Sequence, residues 1–486
     1  MLEPNRSLTF SASGALGQAL LAIAVGALAV TTSAYAVVSP DPLLLTLLYL
    51  VIALSLASAL TPQLFIAASI LVFAISTAAS APVFQSGAAV YVSDVLVALI
   101  AFRGALPRDR VPPSRALTGL PTVLFAAWAF VMVIAALRGM NAGVELVSVV
   151  RGEVALVYWP LLYFGYTRIL RERALRTSLL WRNLAYVALG LATWMFVARV
   201  LDLPFDDPGL GRVPTGDGQE VLRNFGFAGA FVVYPLLALA GISGMAHGGE
   251  RRRQWIFLAT IGTTATLLTL VRGGILALAL GALVVLMLRP RVVGRSSRVG
   301  TVIQLGLAIV TVGVGLIAVN PELGHAVVQR AIPLTDQAEE AEANAEYRQE
   351  AVEAGLEAAR SHPLGLGVLD VARLDAEQID KNYLAHSGVA TLLLFGGWPA
   401  LLTALALILA LLWRSSQLPA PTPWLHPMFV GALTLLTVYS VGAAGLAGDT
   451  WVIPLGALAV ALRFALASQG TAGPLTYSER ASRRLG

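Results

Sequence analysis

Apolar stretches alternate with short polar breaks from Gly14 to Ala467, and the stretches repeatedly reach the roughly 20 residues that a membrane-crossing helix needs. The pattern predicts spans over 14–37, 43–60, 63–80, 86–102, 117–137, 152–167, 183–201, 226–246, 255–271, 273–288, 299–319, 386–413, 428–447 and 451–467. The expected fold class is all-α: a polytopic transmembrane helix bundle of about fourteen helices (12 to 14), with a large extracytoplasmic loop that itself contains helices. It divides into a bundle over 1–319, the loop over 320–385, C-terminal transmembrane helices over 386–467 and a cytoplasmic tail over 468–486.

The loop is the longest polar interruption. Within it Glu339, Glu342, Glu346, Glu350, Glu353 and Glu357 recur every three or four residues, which predicts one acidic stripe on a helix that ends at Ser361-His362-Pro363. Arg348 falls opposite that stripe, on a face of mostly small residues (Ala341, Asn344, Ala345, Ala351 and Gly355) able to dock closely on other helices and expected to carry this one long cation inward. Arg360 lies on the acidic face, where Glu353 and Glu357 offer it ordinary ion pairs.

Residues 255–288 as one helix would be about 50 Å long, far more than the hydrocarbon core of roughly 30 Å. Two short spans are therefore expected to meet near Arg272, in Leu270-Val271-Arg272-Gly273-Gly274. An arginine near the membrane interior is costly unless it finds an anionic partner, in the protein or in a ligand. Snorkelling to head groups is the bland alternative. Arg151, just before the apolar run Val154 to Tyr166, is a weaker case because Glu153 stands ready to neutralise it.

Charge placement tests the spans independently. Alternate connections carry Arg103, Arg108, Arg110 and Arg115, then Arg168, Arg171, Arg173, Arg176 and Arg182, then Arg251 to Arg253, then Arg289, Arg291, Arg295 and Arg298, which marks them as cytoplasmic. The intervening connections are poor in arginine or acidic, as in 202–225 with Asp202, Asp206, Asp207, Asp217 and Glu220. Both termini fall on the arginine-rich side, so the number of spans is even. With 57% hydrophobic and 13% charged residues, the composition excludes one soluble core, and the net charge of +5 reads as an insertion signal rather than nucleic-acid binding. Zero cysteines exclude disulfides, thiolate metal sites and cysteine nucleophiles. Ala34-Tyr35-Ala36 has the form of a signal-peptidase site, although a retained signal anchor is the usual arrangement in a chain of this kind.

Four of the five histidines have bland placements: His247 and His426 in cytoplasmic connections, His325 and His362 in loop and turn positions. His386 stands where the external loop meets a span, on the side of Arg272 and Arg348. Two or three arginines at an interface suit a lipid diphosphate, which they hold by charge-assisted hydrogen bonds. An imidazole beside them can take a proton from an attacking hydroxyl at neutral pH. Together they suit glycosyl transfer from a diphosphate lipid.

Arg348 followed by Ala358-Ala359-Arg360-Ser361-His362-Pro363-Leu364-Gly365-Leu366-Gly367, then Asn382-Tyr383-Leu384-Ala385-His386-Ser387 and Leu392-Leu393-Leu394-Phe395-Gly396-Gly397, resembles the signature loop of the O-antigen ligase and O-antigen polymerase superfamily. Leu270 to Gly274 is similar to that superfamily's Ser-Arg-Gly segment, with Val271 in place of the usual small polar residue. The resemblance implies a glycosyltransferase that uses no metal or other cofactor and acts at the outer face of the bacterial cytoplasmic membrane. The donor would be a polyprenyl-diphosphate-linked oligosaccharide or polysaccharide, the acceptor a glycan or a lipid A core-type molecule, and reaction would invert the anomeric carbon. Carried over by motif, His386 is the acceptor-activating base, and Arg272 and Arg348 hold the diphosphate. Asn382 and Tyr383 join the substrate-binding group, with Arg151 and Arg223 placed there only by side and charge. The competing reading is a lipid-linked oligosaccharide flippase or other transporter, against which stand the absence of a convincing internal repeat and the one-sided external loop.

Overall fold

The computed structural model describes residues 59–75, 84–86, 88–90, 92–111, 119–200, 212–214, 220–222, 230–247, 252–269, 271–288, 306, 338–369, 379, 387–418, 423–442 and 452–470. Among them are helices α1 (Pro62–Ile75), α2 (Val92–Ala105), α3 (Leu120–Asn141), α4 (Leu146–Leu170), α5 (Thr177–Val200) and α6 (Ala230–His247). The second half holds α7 (Arg252–Leu268), α8 (Arg272–Met287), α9 (Ala338–Ser361), α10 (Gly388–Gln417), α11 (Leu425–Gly442) and α12 (Val452–Gly470). Each expected span from 63–80 onward has its helix except 299–319, which apart from residue 306 lies outside the described residues together with 14–37 and nearly all of 43–60. The possible cleavage site at Ala34 to Ala36 lies outside them too. The remaining helix, α9, is the acidic helix of the loop.

Two details depart from the all-helical expectation. Phe84–Ser86 (β1) pairs antiparallel with Ala88–Val90 (β2), so the span expected from residue 86 begins at Val92. Arg212–Pro214 (β3) pairs likewise with Glu220–Leu222 (β4), inside the acidic connection. A third difference concerns α4. The apolar run Leu146-Val147-Ser148-Val149-Val150 extends it beyond the expected boundary, so Arg151 lies within the helix rather than ahead of it. Hydropathy stops at the charges of Arg151 and Glu153, whereas backbone hydrogen bonding does not.

Small residues let the helices approach closely, the usual means of helix association where lipid removes the hydrophobic incentive. A Cβ on Gly104 of α2 would lie 2.8 Å from Gly165 Cα of α4, and one on Gly262 of α7 would lie 2.8 Å from Ala238 Cα of α6. Gly281 of α8 meets Gly431 of α11, and Gly456 of α12 receives the Trp159 ring of α4. The largest buried cluster gathers Ile66, Ile100, Leu162, Tyr166, Leu191, Tyr234, Leu433 and Phe464 between these helices. Exposed apolar residues such as Phe130 and Leu137 of α3 and Leu402 and Leu409 of α10 face outward, as lipid-facing positions do. By length and composition Leu120–Asn141 and Gly388–Gln417 are each apolar enough to cross a bilayer.

Two of the arginine-rich connections meet at one end. The Val111 N–H donates to the Arg171 carbonyl at 2.8 Å and the Arg173 N–H to that of Asp109 at 3.0 Å, joining the α2–α3 and α4–α5 connections. Arg103, fully buried, gives Nε and Nη2 to the buried Glu172 carboxylate at 3.3 and 3.2 Å and Nη1 to the Leu60 carbonyl at 2.8 Å. In the first turn of α2, Asp94 accepts the hydroxyl of Tyr158, midway along α4.

Candidate functional site

The break expected near Arg272 is present. Helix α7 stops at Leu268 and α8 starts at Arg272, with Val271 extended at φ −89°, ψ 103° as its N-cap. The Thr269 hydroxyl donates to the Thr266 carbonyl at 2.6 Å and closes the last turn of α7. Arg272 is thus the first residue of a 16-residue helix whose Gly274 lies against the Tyr439 ring near the C-terminal end of α11.

Helix directions tell which end this is. At the opposite end of α11, His426 Nδ1 is 2.9 Å from the Ser415 hydroxyl, close to the C-terminus of α10. Arg463 of α12, fully buried, also binds there, with Nε to the Ser415 hydroxyl at 2.9 Å and Nη2 to the Leu418 carbonyl at 2.9 Å. Residues 398–417 run the length of a span, about 30 Å at 1.5 Å per residue, so the second segment of α10 begins, at Trp398, toward the end of the bundle where α8 begins. His386 comes shortly before the first segment in the chain, but it lies outside the described residues, as do Asn382, Tyr383 and Arg223.

The start of α10, directly after His386, is held by a buried serine. Ser387 is fully buried; its hydroxyl accepts the Ala390 N–H at 3.2 Å, an N-cap that satisfies one donor of the first turn of α10. The Ser387 carbonyl accepts both the N–H and the hydroxyl of Thr391 at 3.0 Å. Helix α10 then breaks at Gly397, where φ is 61° and ψ −151°. Such a break frees the carbonyls of the preceding turn. The loop after α9 takes them up: the Leu366 N–H donates to the Leu394 carbonyl at 2.7 Å and the Gly367 N–H to that of Phe395 at 3.0 Å. In return the Trp398 N–H donates to Pro363 at 3.1 Å, and Val368 donates to Ala135 of α3 at 3.2 Å. Gly365 has φ 75°, and a Cβ there would lie 2.6 Å from the Gly397 nitrogen. This clasp admits glycine alone because backbone meets backbone.

Helix α9 ends at Ser361, as the His-Pro pair after it predicts. Its small-residue face docks on α10: Ala351 and Ala359 are fully buried, and a Cβ on Gly355 would lie 3.1 Å from Ala390 Cα. With Gly355 beside Ala390 and Pro363 beside Trp398, α9 and the first segment of α10 run in the same direction. Arg348, two turns before Gly355, is therefore near the end of α10 that begins just past His386. Its side chain is exposed, although on the docking face it was expected to turn inward. Glu346, Glu350, Glu353 and Glu357 are exposed, and Arg360 pairs with Glu357 at 3.2 Å. For Arg272 and Arg151 the helix positions are described and the side chains are not. Among the described residues no three His, Asp or Glu side chains gather as metal ligands.

The comparisons with known proteins address the same stretch. Residues 256–405 match the family model described as O-antigen ligase, running from the first turns of α7 through α8 and α9 into α10. The match supports the O-antigen ligase and polymerase superfamily that the motifs resemble, and with it a membrane enzyme of glycan processing. No curated protein matches the chain.

Proposed function

We propose that the protein is a metal-independent, inverting glycosyltransferase, an O-antigen or surface-polysaccharide ligase or polymerase. Its donor is a polyprenyl-diphosphate-linked glycan, taken from the outer face of the bacterial cytoplasmic membrane. The observation that carries this reading is that one family-matched segment, 256–405, contains Arg272 at the start of α8, Arg348 on α9 ahead of its contact with the first segment of α10, and His386 shortly before that segment in the chain, with α8 starting at one end of the bundle. That end is opposite the arginine-rich connections, and by the charge rule it faces away from the cytoplasm.

In the proposed reaction His386 accepts the proton of the acceptor hydroxyl as its oxygen attacks the anomeric carbon. The bond to the diphosphate lipid breaks on the opposite face, and Arg272 and Arg348 stabilise the negative charge that gathers on the leaving diphosphate. Exposure suits Arg348 to this task, because a cation that meets a ligand from outside cannot be committed to the interior. Arg151, Arg223, Asn382 and Tyr383 contribute contacts to glycan or donor. The test supplies purified protein with a polyprenyl-diphosphate oligosaccharide and no metal or nucleotide sugar. Elongated or transferred glycan is expected, lost in His386→Ala and Arg272→Ala. Full turnover by Arg272→Ala would overturn its role, and translocation in liposomes without any change in glycan would favour a flippase.

A further inference from the structure

Among the described residues, the arginine-rich end holds more guanidinium groups than carboxylates. Where the α2–α3 and α4–α5 connections meet, Arg103, Arg108, Arg110, Arg168, Arg171 and Arg173 face two carboxylates. Glu172 is buried with both oxygens on Arg103, at 3.3 and 3.2 Å, and Arg108 lies 3.8 Å from it. Asp109 pairs with the exposed Arg173 at 3.3 Å.

The other three guanidinium groups crowd one another. Arg110 Nε donates to the Arg168 carbonyl at 3.2 Å and its Nη2 to those of Gly104 and Leu106 at 3.0 and 2.7 Å. Arg171 gives Nε and Nη2 to the Val111 carbonyl at 2.9 and 2.6 Å. The Arg110 bonds tie its guanidinium to the C-terminal turns of α2 and α4, where carbonyls need partners, and the Arg171 bonds tie the end of α4 to the connection after α2. Burial holds the pKa of Arg110 and Arg171 below the ordinary arginine value, with the neighbouring Arg168 lowering both further.

Arg168 itself lies over the Phe164 ring, 5.0 Å from its centroid. Leu161, Phe164 and Arg168 are three and four residues apart, so they form one stripe of α4. Leu161 and Phe164 are exposed, so the stripe runs from a bare apolar surface to a cation at the level of the arginine cluster. Apolar contact below and guanidinium groups above match an acyl chain joined to a phosphate.

We propose that this junction is a binding site for the phosphate of an anionic phospholipid in the leaflet at the arginine-rich end. Arg168 contacts the phosphate, Arg110 and Arg171 supply the surrounding positive field, and the acyl chain lies along Phe164 and Leu161. The site is separate from the one built around Arg272 and requires nothing of the glycosyl-transfer reading.

The test uses the full chain in detergent, titrated with phosphatidylglycerol, with phosphatidylcholine, or with inorganic phosphate, and follows binding by native mass spectrometry and thermal stability. Phosphatidylglycerol is expected to bind at least tenfold more tightly than phosphatidylcholine. Arg168→Gln should weaken it roughly fivefold, the usual worth of one arginine near a membrane surface. Arg414→Gln is the control, since it removes a cation of the same bundle end that lies over Trp413. Equal binding of the two lipids, equal losses in the two variants, or full saturation by inorganic phosphate alone would each overturn the proposal. On the unaltered protein, hydrogen exchange in phosphatidylglycerol against phosphatidylcholine nanodiscs should show protection over 103–111 and 168–173. No difference there would overturn it even if Arg168→Gln failed to fold.

Discussion

Three alanine substitutions separate backbone strain from steric closure in the clasp between α9 and α10. Gly190, in the interior of α5, has nothing within 4 Å of an added Cβ. Gly190→Ala should therefore stabilise by up to about 1 kcal/mol, the ordinary helix-propensity gain. Gly143 has φ 90° and equally open space, so Gly143→Ala carries only the left-handed penalty of about 1–2 kcal/mol. Gly365 has that penalty and also a Cβ 2.6 Å from the Gly397 nitrogen. The clasp must open to admit it, which strains the bonds from Leu366 to Leu394, Gly367 to Phe395 and Trp398 to Pro363. At about 0.5–1.5 kcal/mol each, these add roughly 2–4 kcal/mol, so Gly365→Ala should cost about 3–6 kcal/mol in all. Unfolding in mixed micelles by graded sodium dodecyl sulfate, followed by helical circular dichroism, ranks the three. Proteolysis at 362–369 should rise in Gly365→Ala alone. A loss no greater than that of Gly143→Ala would refute the claim that backbone contact closes the clasp.

Three further outcomes are expected. Glu172→Leu leaves the buried Arg103 without this carboxylate and should cost about 3–5 kcal/mol, most of it recovered when Arg103→Met is added to it, with Arg103→Met alone completing the cycle. A coupling energy under about 0.5 kcal/mol in that cycle would deny the pair its role. Ser387→Ala should lower stability by about 1 kcal/mol while Ser387→Thr, which keeps a neutral capping hydroxyl at this buried position, retains most of it; equal losses in both would discount the Ala390 hydrogen bond. Arg463→Met strips the Ser415 hydroxyl and the Leu418 carbonyl of a buried charged donor and should cost about 2–4 kcal/mol in the same titration, against near neutrality if those groups find water instead.

Much of the fold was legible because its signals are local. Length alone required a break within 255–288, and α8 starts at Arg272. A period of three to four residues and a His-Pro stop defined α9, and arginine counts separated the two ends. Contacts were not legible where two distant segments decide them. Arg103 and Arg173 look alike as charges flanking spans, yet one is fully buried and the other exposed, because Glu172 meets α2 rather than solvent. Arg463 lies inside the expected span 451–467, where hydropathy alone gives it no role. An intramembrane arginine there was the available signal, and its partners are carbonyls at the end of α10. The break at Gly397 falls inside what was expected as one span, 386–413, and Gly396-Gly397-Trp398-Pro399 was its unused signal, since neither glycine nor proline favours a helix interior.

The motif that resembles the superfamily divides along this line. Its Gly365, Gly367 and Gly397 belong to the clasp, where φ is positive and backbones touch. Arg348 precedes the docked turns of α9, and His386 precedes the cap of α10. The glycines thus set how the two helices meet, while Arg348 stands on α9 ahead of that meeting and His386 precedes α10 in the chain. Substitution of the first kind should be read in the amount of folded protein, because it disturbs hydrogen bonds before any ligand arrives. Substitution of the second kind should be read in turnover at unchanged amount, because an exposed arginine contributes little to folding. Arg348→Ala is the sharpest case. It should leave the sodium dodecyl sulfate transition within about 0.5 kcal/mol of the parent while abolishing transfer. If it lowered stability as Gly365→Ala does, Arg348 would be a strut of the helix pair, and its place in the reaction would be lost.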